Sequence, residues 1–188
     1  MAYLLRSARF IAADILEKAL KPGDTVIDAT MGNGHDTLFL CQLVGEAGKV
    51  IAFDVQQAAV ESTRKRLEEA GVASRAQLHC LGHQHMAEVV QGPVDGVVFN
   101  LGWLPGGDKS VTTLLETTLP AVRSALSLIR PLGICIICCY PGHAEGDRER
   151  ENLMDMLSQL PPQQYNVLWH KFLNAGPGAP ECFVIQRQ

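Results

Sequence analysis

The sequence predicts an α/β domain built on a doubly wound, mostly parallel sheet, and three observations predict it. Short apolar runs of strand length alternate with stretches of helical periodicity along the chain. Parallel strands need crossovers, and a helix between each pair supplies them. A glycine loop, Gly32-Asn33-Gly34, follows the first such run, and an aspartate, Asp54, ends the second. Near the end, Tyr165–Phe172 and Glu181–Gln186 follow one another with no helical stretch between them, which reads as an antiparallel hairpin.

Taken in order, residues 2–20 place Leu4, Leu5, Ala8, Ile11, Ala12, Ile15, Leu16 and Ala19 on one helical face, and Pro22-Gly23 stops that helix. Thr25–Asp28 is a short buried strand, followed by the glycine loop and a helix over Asp36–Val44. Lys49–Asp54 is the second strand, and Gln57–Ala70 a helix ended by Gly71. Gln77–Cys80 is the third strand, with a short helix over His85–Val90. Gly96–Asn100 is the fourth, leading through the loop Leu101–Ser110 into a helix over Thr112–Leu128. Gly133–Cys139 is the fifth, and Arg148–Leu160 the helix before the hairpin.

A length of 188 residues suits one domain, residues 1–188, and a 47% apolar share suffices for a core. Sixteen basic against twenty acidic residues leave a net charge of −4, which excludes a broad basic surface for nucleic acid. Four of the six cysteines sit in apolar runs and read as reduced core residues rather than a disulfide frame. No signal-peptide core and no apolar stretch of membrane-spanning length appears, so the expected compartment is the cytoplasm, with no membrane partner.

Ligands of doubly wound sheets bind at the carboxyl ends of strands, where strand order reverses. The chemistry-bearing residues stand there: Asp28 to Gly34, Asp54, His83, Asn100 to Lys109, and Tyr140 to Glu145. Gly32 and Gly34 allow a tight turn and a close backbone approach. Asp54, twenty positions after Gly34, can accept from both hydroxyls of a ribose. A dinucleotide fingerprint would place a third glycine or alanine where Thr37 stands, and no Tyr-x-x-x-Lys pair is present. An acid ending the first strand, Asp28, would repel a pyrophosphate, yet suits a cationic ligand or a loop that it braces. A sulfonium cofactor, S-adenosylmethionine, therefore fits better than NAD, leaving a nicotinamide-dependent oxidoreductase or a non-catalytic cofactor-binding protein as the rivals.

The run from Val26 to Thr37 resembles the first motif of Rossmann-like class I S-adenosylmethionine methyltransferases. More narrowly it is similar to a small bacterial family of rRNA-methylase type, associated with methylating 5-aminomethyl-2-thiouridine at the tRNA wobble position. The likeness continues in Ala52-Phe53-Asp54-Val55-Gln56, in the block from Phe99 to Lys109, and in Tyr140-Pro141-Gly142-His143-Ala144-Glu145-Gly146. It implies that Asp28, Thr30, Gly32, Asn33, Gly34, Asp36, Thr37, Asp54, Gln56, His83 and Asn100 hold the cofactor. Gly82-His83-Gln84 stands where the adenine is held; relatives carry Ser-His and an acid, a departure that weakens a carboxylate grip on the adenine amine and leaves the Gln84 amide oxygen able to accept.

Asn100-Leu101-Gly102-Trp103 stands where amino-group methyltransferases carry Asn-Pro-Pro-Tyr. An acceptor amine must present a neutral lone pair in line with the methyl, so its hydrogens need acceptors. The Asn100 side-chain oxygen and the Leu101 carbonyl can provide them, Gly102 admits the backbone, and Trp103 offers a face for a splayed-out base. Trp103, Asp108, Lys109, Tyr140 and His143 are the expected substrate contacts. Lys109 suits an RNA phosphate or a salt bridge with Asp108, and His143 suits either a base or a positioning group. The resemblance implies a tRNA anticodon stem-loop as partner, and a chain this short is expected to need a homodimer to cover it. No metal is expected: Cys135 and Cys138 lie three apart in a strand and face opposite sides, and Gly82 starts a loop within the group His79, Cys80, His83 and His85.

Overall fold

The computed structural model describes residues 7–104, 106, 111–176 and 178–188. Seven strands form one sheet: β1 (Thr25–Asp28), β2 (Lys49–Asp54), β3 (Ala76–Cys80), β4 (Val94–Asn100), β5 (Ile129–Cys139), β6 (Tyr165–His170) and β7 (Glu181–Arg187). Their order is β3-β2-β1-β4-β5-β7-β6, with β1 to β5 parallel and β7 antiparallel to both neighbours. The hairpin is present, but its second strand lies inside the sheet and its first forms the edge.

The helices are α1 (Ala8–Ala19), α2 (His35–Val44), α3 (Gln57–Glu69), α4 (Met86–Val89), α5 (Leu115–Leu128) and α6 (Ala144–Ser158). Alternation along each strand splits the core into two layers. Val26, Val50, Val98 and Ile136 face α1 to α3. Ile27, Ile51, Phe53, Val97, Phe99 and Ile137 face α4 to α6. Cys135 belongs to one layer and Cys138 to the other, so the two thiols are separated by the sheet.

Three element starts are displaced by three or four residues from the expected ones, and other ends shift by one or two. Helix α5 starts at Leu115, because Thr112 pairs with Trp103 in an isolated bridge and Thr113 is drawn back to Gly102. Strand β5 is entered four residues early, with a register break opposite Val94 and Gly96. Helix α6 starts at Ala144 because the His143 side chain caps it. No helix among the described residues is long and apolar enough to cross a membrane, and among the same residues no group of three or more His, Cys, Asp or Glu is placed to hold a metal.

Candidate active site

A cavity of about 730 Å³ opens beyond the carboxyl ends of β1, β2 and β4, beside the reversal of strand order between β1 and β4. That volume lies within the usual range for small-molecule sites. Its floor is the glycine loop. Gly34 caps α2 at φ +78°, and a Cβ there would come within 2.8 Å of Thr63 Cα, so only glycine fits. Helix α3 grips the loop carbonyls: Thr63 Oγ1 donates to the Gly32 oxygen at 3.0 Å, and Arg66 Nε to that of Asn33 at 2.7 Å.

Asp28 sits behind this loop, 1% exposed. It accepts from the Thr30 N–H at 3.1 Å and the Thr37 hydroxyl at 2.6 Å. Burial, reinforced by the nearby Asp36 charge, pushes its pKa up to about 7. Asp28, Gly34 and Thr37 therefore do not line the cavity. They stand behind the lining, where the Asp28 carboxyl braces the loop through Thr30 and Thr37. Thr30, Gly32, Asn33, Asp36, Asp54, Gln56, His83 and Asn100 do line it.

Asp54 accepts from the Gly32 N–H at 3.0 Å and the Gln56 N–H at 2.9 Å, one per carboxylate oxygen. Partial burial raises its pKa against these bonds. The Val55 N–H also bonds this carboxylate, and a carboxylate is the acceptor that a ribose diol requires. His83 is buried, and desolvation lowers its pKa to about 4 while it donates to the Ala29 carbonyl. It is neutral near pH 7. A Cβ on Gly82 would meet Gln84 Oε1 at 2.3 Å, so the bare glycine makes room for the Gln84 carboxamide on the same wall.

The acceptor side is held differently. Arg9 Nη2 donates to Asp36 Oδ1 at 3.1 Å, and Asn100 Nδ2 to Asp36 Oδ2 at 3.0 Å. The Asn100 backbone N–H donates to Thr30 Oγ1 at 2.7 Å. This fixes the carboxamide with its nitrogen on Asp36 and leaves Oδ1 buried without a partner. Tyr140, which lines the cavity, hydrogen-bonds with Asn100, and burial pushes its phenol up to about 12. Gly102 is clamped at φ +114°: its N–H donates to Thr113 Oγ1 at 2.9 Å, and its carbonyl accepts from the Thr113 N–H at 3.0 Å. Trp103 lies 37% exposed at the rim, its ring centroid 4.8 Å from that of His143.

His143 Nδ1 accepts from the Gly146 N–H at 3.2 Å, which puts the ring proton on Nε2. His143 caps α6 and its ring lies against that of Trp103, and it does not line the cavity. Asp108 and Lys109 lie outside the described residues. Sequence reading missed Arg9 and Thr113: Arg9 reaches Asp36 across 27 positions and Thr113 reaches Gly102 across 11, separations that leave no local signal.

A family model described as "Putative rRNA methylase" matches residues 50–186. A relative from Arabidopsis thaliana named "tRNA (mnm(5)s(2)U34)-methyltransferase, chloroplastic" is 37% identical, over 97% of this chain and 70% of the relative. A solved "putative rRNA-methylase" from Clostridium thermocellum superposes with TM-score 0.97 at 36% identity, covering 99% of this chain and 100% of that one. A "putative methyltransferase" from Streptococcus mutans, solved in complex with SAH, gives 0.90 at 34% identity, covering 98% and 100%. The chain belongs to this rRNA-methylase family.

Proposed function

We propose that this member of the family transfers a methyl group from S-adenosylmethionine to the aminomethyl nitrogen of 5-aminomethyl-2-thiouridine at the tRNA wobble position. The observation that carries the reading is the Asn100 carboxamide, oriented by Asp36 and holding a buried, unpartnered oxygen beside a cavity that also contains Asp54. An acceptor built this way takes a hydrogen from an amine, and together with the Leu101 carbonyl it turns the nitrogen lone pair outward. The name of the Arabidopsis relative supports the wobble uridine as substrate.

The residues fit the cofactor in charge and shape. Asp54 offers its carboxylate to the ribose hydroxyls, the neutral His83 and Gln84 form a wall suited to adenine, and Gly32 keeps the floor low. When bound, the cofactor supplies an electrophilic methyl on a sulfonium. The chain's own contribution is alignment: Asn100, Leu101 and the clamped Gly102 hold the amine, and Trp103 gives a stacking face worth ~1–3 kcal/mol per base. A net charge of −4 is compatible with this because the base is gripped in a pocket rather than on a charged surface. We assign the dimer as the unit that covers the stem-loop; a monomeric mass in active solution would remove that assignment.

Nucleoside mass spectrometry is the test. tRNA carrying 5-aminomethyl-2-thiouridine, incubated with protein and S-adenosylmethionine, should gain one methyl at that nucleoside and nowhere else. An unchanged nucleoside profile would overturn the reading.

A further inference from the structure

Helix α6 carries a buried carboxylate that the proposed chemistry does not use. Glu149 is 1% exposed, and burial raises its pKa. Its Oε1 accepts from the Thr118 hydroxyl at 2.5 Å and its Oε2 from the Thr113 hydroxyl at 2.9 Å. The Thr113 oxygen in turn accepts from the Gly102 N–H. One turn earlier on α6, Glu145 accepts from the Leu115 N–H at 2.8 Å, bracing the start of α5 from the same helix.

We infer that Glu149 is the positioning residue of the acceptor loop, setting the Gly102 turn and hence the Leu101 carbonyl and Trp103 through the Thr113 hydroxyl. The direction of the bonds carries this. A threonine hydroxyl has one proton, and only a partner that accepts draws it away from Gly102, leaving a lone pair for the Gly102 N–H. A carboxylate accepts on both oxygens and so orders Thr113 and Thr118 together. A carboxamide of the same shape accepts on one side and donates on the other, so one of the two hydroxyls must reverse or lose its bond. A buried charge is costly and is replaceable by apolar residues where stability alone matters. Here the carboxylate holds a left-handed glycine turn in one state through Thr113.

The inference rests on the proposed acceptor role of Asn100 to Trp103, and the test separates the two. Glu149→Gln should lower kcat on the modified stem-loop by about 10- to 100-fold, as expected for sub-ångström misplacement of a reacting group. Affinity for S-adenosylhomocysteine by calorimetry should stay within about twofold, since the hydrogen bonds of Glu149 go to Thr113 and Thr118. Thr113→Ser, which keeps the hydroxyl, should retain wild-type kcat, and Thr113→Val should behave as Glu149→Gln. In a Trp169→Phe background the emission of Trp103 should shift in Glu149→Gln and Thr113→Val but not in Thr113→Ser. This optical readout needs no substrate, so it holds even if the wild type fails to methylate the stem-loop, which would count against the proposed substrate alone. Full activity with unchanged Trp103 emission in Glu149→Gln would overturn the inference. So would parallel losses of cofactor affinity and kcat, the mark of a general structural role.

Discussion

The two halves of the cavity are finished to different degrees. On the cofactor half the polar groups are satisfied within the protein: Asp28 by Thr30 and Thr37, Asp54 by Gly32 and Gln56, and the loop carbonyls by Thr63 and Arg66. On the acceptor half, Asn100 Oδ1, Thr112 Oγ1 and His143 Nε2 are buried without partners. Buried polar atoms are ordinarily paired, so the orphans on the cavity-lining Asn100 and Thr112 mark the place where a partner from outside is expected, whereas those on His143, His79, Arg150 and His170 belong to residues off the cavity. The lesson is one of preorganisation: the donor's seat is rigid before it is filled, and the acceptor's seat is completed by what it receives.

That contrast can be broken from either side. The largest effect belongs to Asn100→Ala, which removes the oriented acceptor. Turnover should fall by about 10²–10³-fold, the usual loss for one preorganised hydrogen-bonding group, with cofactor affinity nearly intact. Single-turnover kinetics beside calorimetry decides it, and a fully active variant would end the distinction between the halves. Asp54→Ala should act in reverse, weakening S-adenosylhomocysteine binding by about 1.5–3 kcal/mol, as for hydrogen bonds to a charged group. Affinity equal to wild type would refute the ribose contact.

The smallest effect sharpens the claim that the cofactor half is complete in itself. Asp28 has a folded pKa of about 7 against an ordinary 3.8. A raised pKa means that its protonated form favours folding: that stability is fully present below about 3.8 and is lost as pH rises through about 7. Relative to Asp28→Asn, the wild type should therefore lose at most about 1.4 kcal/mol per pH unit across this window. Denaturant midpoints at pH 5, 6 and 7 measure the difference. Parallel curves for the two proteins would show that Asp28 is not the buried brace described.

The sequence made the cofactor half more legible than the acceptor half, for a physical reason. A glycine turn and an acid at a strand end are local features, and Gly32, Gly34 and Asp54 stand where strand-by-strand reading puts them. The strands and the hairpin are legible from periodicity, but the place of β7 between β5 and β6 is a tertiary choice that no local pattern encodes. The acceptor half is held by side chains that meet across the fold, among them Arg9 with Asp36, Asp36 with Asn100, and Thr113 with Glu149. His143 shows the limit most plainly. A histidine after a strand reads as chemistry, whereas its ring nitrogen is spent on starting a helix four residues earlier than the apolar pattern indicates.

The insertion of β7 also bears on how the molecule is made. Cys139 and Glu181 are paired neighbours although 42 positions separate them. Pairing so distant in sequence carries a loop-closure penalty before it is rewarded, which slows its formation. The block of β1 to β4 with its helices can settle from contacts already synthesised, while β5 keeps an open backbone edge and β6 has no neighbour. Only when Glu181–Arg187 leaves the ribosome does the sheet close on both sides of that strand at once. Until Glu181–Arg187 is available, the Cys135–Cys139 stretch of β5 has one backbone edge without its partner in the sheet, the kind of edge on which another chain can pair.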